Sequence, residues 1–137
     1  TRPIAEKDAQ KDLEKWIKEL QKSLSETLGP LIDRFQAATK NHPELSTENV
    51  DVLCADLRVA ATIRNAICHG SWKQPDERGF SKVFYIDKKR GRFEDEVDCA
   101  YLEQLRLHTC ELLVNVANTV THMGYRFPGT NSPGKPI

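Results

Sequence analysis

Residues 46–70 read STENVDVLCADLRVAATIRNAICHG, and this stretch decides the fold. Apolar side chains recur along it every three or four residues, which is the spacing of an amphipathic helix. Ser46 is a favourable N-cap, and Gly70 can adopt the left-handed conformation that ends many helices. The stretch therefore predicts one long helix over residues 46–70. Arg64 falls in the middle of its apolar stripe, where a charged side chain needs a carboxylate, a phosphate or a partner chain.

The segments on either side of this stretch predict three further helices. Apolar spacing of the same kind covers residues 5–28, Pro30 starts a shorter helix to about residue 40, and Asp98 caps a last helix to about residue 124. Alternating residues around a Lys-Lys-Arg-Gly turn predict a small β-hairpin at about residues 79–97. The expected fold class is all-α, a bundle of four to five helices with this hairpin inserted before the last long helix.

Length and composition indicate one domain. The chain has 137 residues, 39% of them hydrophobic, and 20 Lys and Arg balance 20 Asp and Glu. This size favours a single core within residues 1–126, and the Pro- and Gly-rich residues 127–137 predict an extended or disordered tail. Because the net charge is zero, nucleic-acid binding would have to rest on a local basic patch. No apolar run is long enough to span a bilayer, so we expect a cytoplasmic protein with no membrane partner.

The sequence offers no recognisable metal motif. The four cysteines are scattered and form no C-x2-C pair, so we expect reduced and mostly buried thiols. His108, Cys110 and His122 lie on one helix, but His108 and His122 are about four turns apart, too far for one metal ion. We therefore expect no metal site and no cofactor.

Three residues near the end of the long helix form the candidate catalytic site: Arg64, Asn65 and His69. His69 stands at the helix C-terminus, directly before Gly70. Asn65 lies four residues earlier, about 40° around the helix, so it can reach the imidazole. A structural interpretation stays open beside the catalytic one, with Arg64 in an internal ion pair and His69 as a helix cap without chemistry.

The segment IRNAICHG, residues 63–70, resembles the signature of the HEPN superfamily, the higher eukaryote and prokaryote nucleotide-binding domains. In that signature Arg, commonly followed by Asn, precedes His near the end of a bundle helix, and the helix pattern over about residues 5–124 is similar as well. Many HEPN proteins are metal-independent endoribonucleases that act as dimers. The resemblance implies that Arg64 stabilises the charge of the scissile phosphate and that His69 transfers a proton. It also implies that Asn65 orients His69 or contacts the phosphate.

A basic segment after the signature is the candidate RNA-binding surface. Between residues 72 and 93, seven basic residues stand against three acidic ones, with aromatic residues among them. Basic groups hold a phosphate backbone and aromatic rings stack on bases, so this mixture suits RNA. The alternative is a solvated hairpin whose aromatic residues pack on the bundle. The candidate RNA-binding residues are Lys73, Arg78, Lys82, Lys88, Lys89, Arg90 and Trp72.

Two functions follow as hypotheses. The resemblance implies a homodimeric endoribonuclease that cuts RNA as a toxin or an antiviral defence component, with an antitoxin or a partner domain as a further partner. The alternative is a non-catalytic HEPN-like module for dimerisation or for nucleotide or RNA binding within a larger protein. A subset of HEPN toxins carries, two residues after the His, a Tyr that is modified by a nucleotidyltransferase antitoxin. Ser71 stands at that position here, which argues against such an antitoxin.

Overall fold

The computed structural model describes residues 4–126 and 134–137, and in them the protein is mostly helical, with a small set of antiparallel strands before the last helix. The helices are α1 (Ile4–Ser25), α2 (Leu28–Thr39), α3 (Thr47–His69) and α4 (Cys99–His122). The number and order of the helices and the place of the inserted strands agree with the prediction, but the all-α class holds only in part, because five short strands form in the described chain where one hairpin was expected. None of the described helices is both long and apolar enough to cross a membrane.

The caps of the two longest helices are those that the sequence predicts. The Ser46 hydroxyl accepts a hydrogen bond from the Asn49 N–H over 3.4 Å, and the Asp98 carboxylate accepts one from the Tyr101 N–H over 2.7 Å. Each cap satisfies an N–H group that the first helical turn leaves without a backbone partner. These local signals place the starts of α3 and α4 correctly.

The predicted hairpin forms, and it continues into a small sheet. The strands are β1 (Ser71–Trp72), β2 (Ser81–Phe84), β3 (Ile86–Asp87), β4 (Gly91–Arg92) and β5 (Glu96–Val97). β3 pairs with β4 and β2 with β5, both antiparallel. β1 pairs with the other edge of β2, so the strand order is β1-β2-β5. We expected a loop where β1 lies, because a two-residue strand has no alternating pattern to reveal it.

The core lies where α3 packs against α2 and α4. Ile32, Val50 and Cys54 form its buried cluster, with partly buried apolar side chains around them. Ile137, at the end of the tail, also packs against this cluster, and its carbonyl accepts a hydrogen bond from the Asn49 side chain over 2.7 Å. Residues 134–137 thus form no helix or strand and still contribute to the core. The remainder of the predicted tail, residues 127–133, lies outside the described residues.

Helix α1 differs from the expected bundle helix. Its apolar stripe is exposed, with Leu13 54%, Trp16 59% and Leu24 79% accessible, and within the described chain it has no extended packing against another element. Its C-terminal end is attached to α2 through Arg34, which forms an ion pair with Glu26 over 2.9 Å and a hydrogen bond to the Ser23 hydroxyl. The helical spacing correctly predicts α1, but in the single chain its apolar face stays open to solvent.

The cysteines also differ from expectation. Only Cys54 is buried, and burial raises the pKa of its thiol. Cys68, Cys99 and Cys110 are exposed. The prediction of mostly buried thiols is therefore wrong, because three of the four lie on helix faces that no described element covers.

Candidate functional site

The last turns of α3 open into a cleft of about 860 Å³. Its walls come from three parts of the chain: the α1–α2 junction at Thr27 with the first turns of α2, one face of α3, and the hairpin from Tyr85 to Arg90. Arg64, Asn65 and His69 all line it. The structure thus brings together the three residues that the sequence singled out, on one solvent-accessible surface.

Arg64 is exposed, contrary to the expectation of a buried arginine on an apolar stripe. Its Nη1 donates a hydrogen bond to the Asn65 Oδ1 over 2.9 Å, and no carboxylate in the described chain pairs with it. The expectation failed because this end of the stripe faces open space. Arg64 lies between the cleft and an apolar groove of about 450 Å³ that α2, α3 and α4 form together.

His69 occupies the last position of α3, as predicted, and its side chain is exposed. No described residue forms a hydrogen bond or an ion pair with its imidazole, so both ring nitrogens are available to a ligand. The carboxamide oxygen of Asn65 is occupied by Arg64. Asn65 therefore contacts the guanidinium of Arg64 and, in the described chain, forms no hydrogen bond with the His69 imidazole.

Gly70 fixes the position of His69 by close packing. We expected a left-handed conformation at Gly70, but its φ of −74° and ψ of 161° are extended. A Cβ atom at this position would come closer than 3.0 Å to the Ala66 carbonyl oxygen and to the Val83 side chain. Glycine is required because α3 ends directly against β2. The end of the helix is thereby held on the sheet.

Arg58 is a cleft residue that sequence analysis missed. Its Nη2 forms an ion pair with the Asp33 carboxylate over 2.8 Å and a hydrogen bond to the Gln36 side-chain oxygen over 2.6 Å. These bonds tie α3 to α2 and hold the guanidinium at the cleft wall. Arg58 precedes Asn65 by seven residues, so both lie on one helix face within about 20°. That spacing is the signal that would have identified it.

The turn between β3 and β4 supplies the remaining charges of the cleft. Lys89 and Arg90 line it, as do Tyr85 and Asp87. The Asp87 carboxylate accepts hydrogen bonds from the N–H groups of Lys89 and Arg90, over 2.8 and 2.9 Å. The carboxylate thus shapes the turn, while neither basic side chain has an ion pair or hydrogen bond in the described chain. Two of the seven predicted RNA-binding residues therefore lie beside Arg64 and His69.

The other predicted RNA-binding residues do not line the cleft. Trp72 donates a hydrogen bond from its indole N–H to the Ile67 carbonyl over 3.0 Å and so caps the end of α3. Arg78 forms ion pairs with Asp76 over 3.0 Å and with Glu96 over 3.1 Å. The Phe80 N–H first, and then Arg78, lower the pKa of the Asp76 carboxyl by hydrogen bonding. Lys73, Lys82 and Lys88 also lie outside the cleft and are exposed, as Trp72 and Arg78 are.

Comparison with known proteins gives no match: no family model fits the chain, and no curated protein or solved structure is significantly similar to it.

Across residues 4–126 and 134–137, no group of three or more His, Cys, Asp and Glu side chains is arranged to hold a metal ion.

Proposed function

We propose that the protein is a metal-independent endoribonuclease of the HEPN type. The observation that carries this proposal is the meeting of Arg64, Asn65 and His69 in one open cleft. An exposed guanidinium and an exposed imidazole that line one cleft can together promote cleavage of a phosphodiester next to a ribose 2'-hydroxyl. Lys89 and Arg90 add positive charge to the same cleft, which favours a polyanionic substrate.

The reaction would use these side chains as follows. Arg64, oriented by Asn65, binds the scissile phosphate and stabilises the negative charge that builds up on its oxygens. The imidazole of His69 accepts the 2'-hydroxyl proton while the 2'-oxygen attacks phosphorus, or donates a proton to the departing 5'-oxygen. The products are a 2',3'-cyclic phosphate and a 5'-hydroxyl. In a dimer the two His69 side chains can divide these two proton transfers.

A homodimer is the assembly that we propose for the active protein. The apolar groove beside Arg64 and the apolar face of α1 are both open in the single chain. Exposed apolar surfaces such as these two are typical of protein interfaces. A second copy that covers the groove would stand next to Arg64, so the interface and the catalytic cleft would share this residue. Two-fold symmetry would then bring two sets of Arg64 and His69 near one axis.

From the resemblance to HEPN proteins, we propose that the ribonuclease is a cytoplasmic toxin or antiviral defence component. It would cut RNA once an antitoxin or a partner domain no longer restrains it.

A non-catalytic module for dimerisation or for nucleotide or RNA binding is the second candidate function. The observation that favours it is the absence, among the described residues, of any group that orients the His69 imidazole. A histidine without such a partner is less well prepared for proton transfer than one whose ring orientation is fixed. The same cleft would then hold a nucleotide or RNA without cleaving it.

The test is cleavage of a labelled single-stranded RNA in excess EDTA. The wild type is compared with Arg64→Ala and His69→Ala, and with the matched controls Arg126→Ala and His108→Ala, exposed residues that do not line the cleft. We expect cyclic phosphate ends from the wild type and both controls, and a loss of about 100-fold or more in each cleft variant. Activity that survives in both cleft variants would contradict the proposal. No cleavage by any of the folded proteins would favour the binding module.

A further inference from the structure

A ridge formed by Tyr85 and Arg90 separates the cleft from a second, smaller hollow. Both residues line both cavities. Tyr85 is half-buried in the middle of the hairpin, where its carbonyl accepts a hydrogen bond from the Phe93 N–H over 2.8 Å. The hairpin thus holds the Tyr85 backbone in place, and the residue lines both cavities together with residues of α3. An aromatic ring on a rigid element is well suited to stack on a flat ligand.

The smaller hollow, of about 290 Å³, differs from the cleft in its chemistry. Val59, Ile63 and Phe93 give it apolar walls, and its charged lining residues are two basic and two acidic ones: Arg90, Arg92, Glu94 and Asp95. The Asp95 carboxylate is occupied, since it accepts a hydrogen bond from the Tyr101 hydroxyl over 2.8 Å. Because the two carboxylates balance the charges of Arg90 and Arg92, the hollow attracts a phosphate less strongly than the basic cleft does, whereas an uncharged ring system fits an apolar hollow of this size. The hollow is therefore suited to a base, and the basic cleft is suited to the phosphate.

We propose that the ridge is a nucleotide-binding subsite and that the substrate is single-stranded RNA. This inference rests on the proposed function. With the scissile phosphate at Arg64, the base of an adjoining nucleotide stacks on Tyr85 and enters the smaller hollow, while Arg90 binds the next phosphate. A base can reach this position only when it is unpaired, because paired bases in an RNA duplex are stacked inside the helix. The ridge thus selects single strands over duplexes.

The experiment measures binding apart from cleavage. A fluorescent RNA with 2'-O-methyl groups at every position cannot form the cyclic phosphate, so its anisotropy reports the equilibrium Kd alone. The variants are Tyr85→Leu, Tyr85→Phe and Arg90→Gln. The matched controls are Tyr125→Leu and Arg126→Gln, exposed residues after α4 that line neither cavity.

We expect Tyr85→Leu to weaken binding about five- to 150-fold and Tyr85→Phe to bind like the wild type, because phenylalanine keeps the stacking face. Arg90→Gln should reduce the slope of log Kd against log salt by about one ion, as expected for a lost phosphate contact. A 2-aminopurine base placed next to the scissile position should be quenched by the wild type and by Tyr85→Phe but not by Tyr85→Leu. Duplex RNA should compete weakly.

Three results would overturn the inference: unchanged binding by a folded Tyr85→Leu variant, equal competition by duplex RNA, or a fluorescence response that does not depend on the ring. If Arg64 and His69 are still needed for cleavage in any of these cases, the proposed function stands and only the subsite fails. If the wild type cleaves no RNA but binds the 2'-O-methyl strand in a Tyr85-dependent way, the nuclease proposal fails and the subsite stands.

Discussion

Replacing Gly70 by alanine tests the packing that holds the catalytic end of α3. The added methyl group would come closer than 3.0 Å to the Ala66 carbonyl oxygen and to the Val83 side chain, and it would lie 3.1 Å from the Phe84 carbonyl oxygen. Two of these three atoms belong to the backbone, so a side-chain rotation cannot relieve the contact. The helix end and β2 have to move apart. Alanine tolerates the φ of −74° at this position, so the cost comes from packing alone.

The expected magnitude follows from two opposing contributions. Overpacking of this kind costs about 1–3 kcal/mol, and rigid backbone neighbours favour the upper half of that range. Alanine also restricts the unfolded chain relative to glycine, which returns about 0.4–1 kcal/mol. We expect Gly70→Ala to lower the free energy of unfolding by about 1–2 kcal/mol. For a chain of this length, such a change lowers the Tm by about 3–7 °C.

The assay is thermal and urea unfolding followed by circular dichroism, with Gly29→Ala as the control. A Cβ at Gly29 meets no atom within 4 Å. Alanine favours the helix more than glycine does, but Pro30 sterically disfavours a helical backbone at the residue before it. Because these effects oppose each other, we expect the free energy of unfolding of Gly29→Ala to lie within about 1 kcal/mol of the wild-type value. If Gly70→Ala unfolds at the wild-type temperature or above, the close packing of α3 on β2 is not what requires glycine.

Three further predictions concern other parts of the chain. In the native protein the thiol reagent DTNB should modify three of the four cysteines, and Cys54 should react only after unfolding; four reactive native thiols would contradict its burial. Loss of the helix cap in Asp98→Ala should lower the free energy of unfolding by about 1–2 kcal/mol, and Ser46→Ala, whose bond is longer, by about 0.5–1 kcal/mol, both measured by urea titration. Burial, with the hydrogen bond to Asp95, raises the pKa of Tyr101 to about 12. Because the folded state holds this proton more tightly than the unfolded state, stability should fall as pH rises from about 10 to 12, and Tyr101→Phe should lose that part of the alkaline unfolding profile.

The elements could be predicted where their signals are local. Ser46 and Asp98 start α3 and α4 because each side chain bonds an N–H three residues away. The end of α3 at Gly70 was predicted correctly, but for the wrong reason. The prediction relied on a left-handed backbone, whereas glycine is needed because a side chain would collide with Ala66 and with Val83 on β2, which is distant in sequence. The exposure of α1 could not be predicted either. Helical periodicity identifies an apolar face, but it does not say what covers that face.

The candidate site was predictable only along α3. Asn65 and His69 are four residues apart, so their spacing alone places them on one helix face, whereas Arg64 lies about 140° around the helix from His69 and meets it only across the open cleft. Tyr85 reaches the same cleft from the hairpin, and the junction between α1 and α2 closes the other side. Contacts between separate elements depend on tertiary packing and produce no periodic pattern in the sequence.

Because α1 is attached to the rest of the described chain at one end only, a small rotation at that end displaces its other end by several ångströms. With 22 residues at 1.5 Å each it is about 33 Å long, so a rotation of about ten degrees at its base displaces its far end by about 6 Å. Its C-terminal end adjoins Thr27 and the first turn of α2, which form a wall of the cleft. The direction in which α1 presents Leu13 and Trp16 to its surroundings is therefore set at the same place that shapes the cleft beside Arg64.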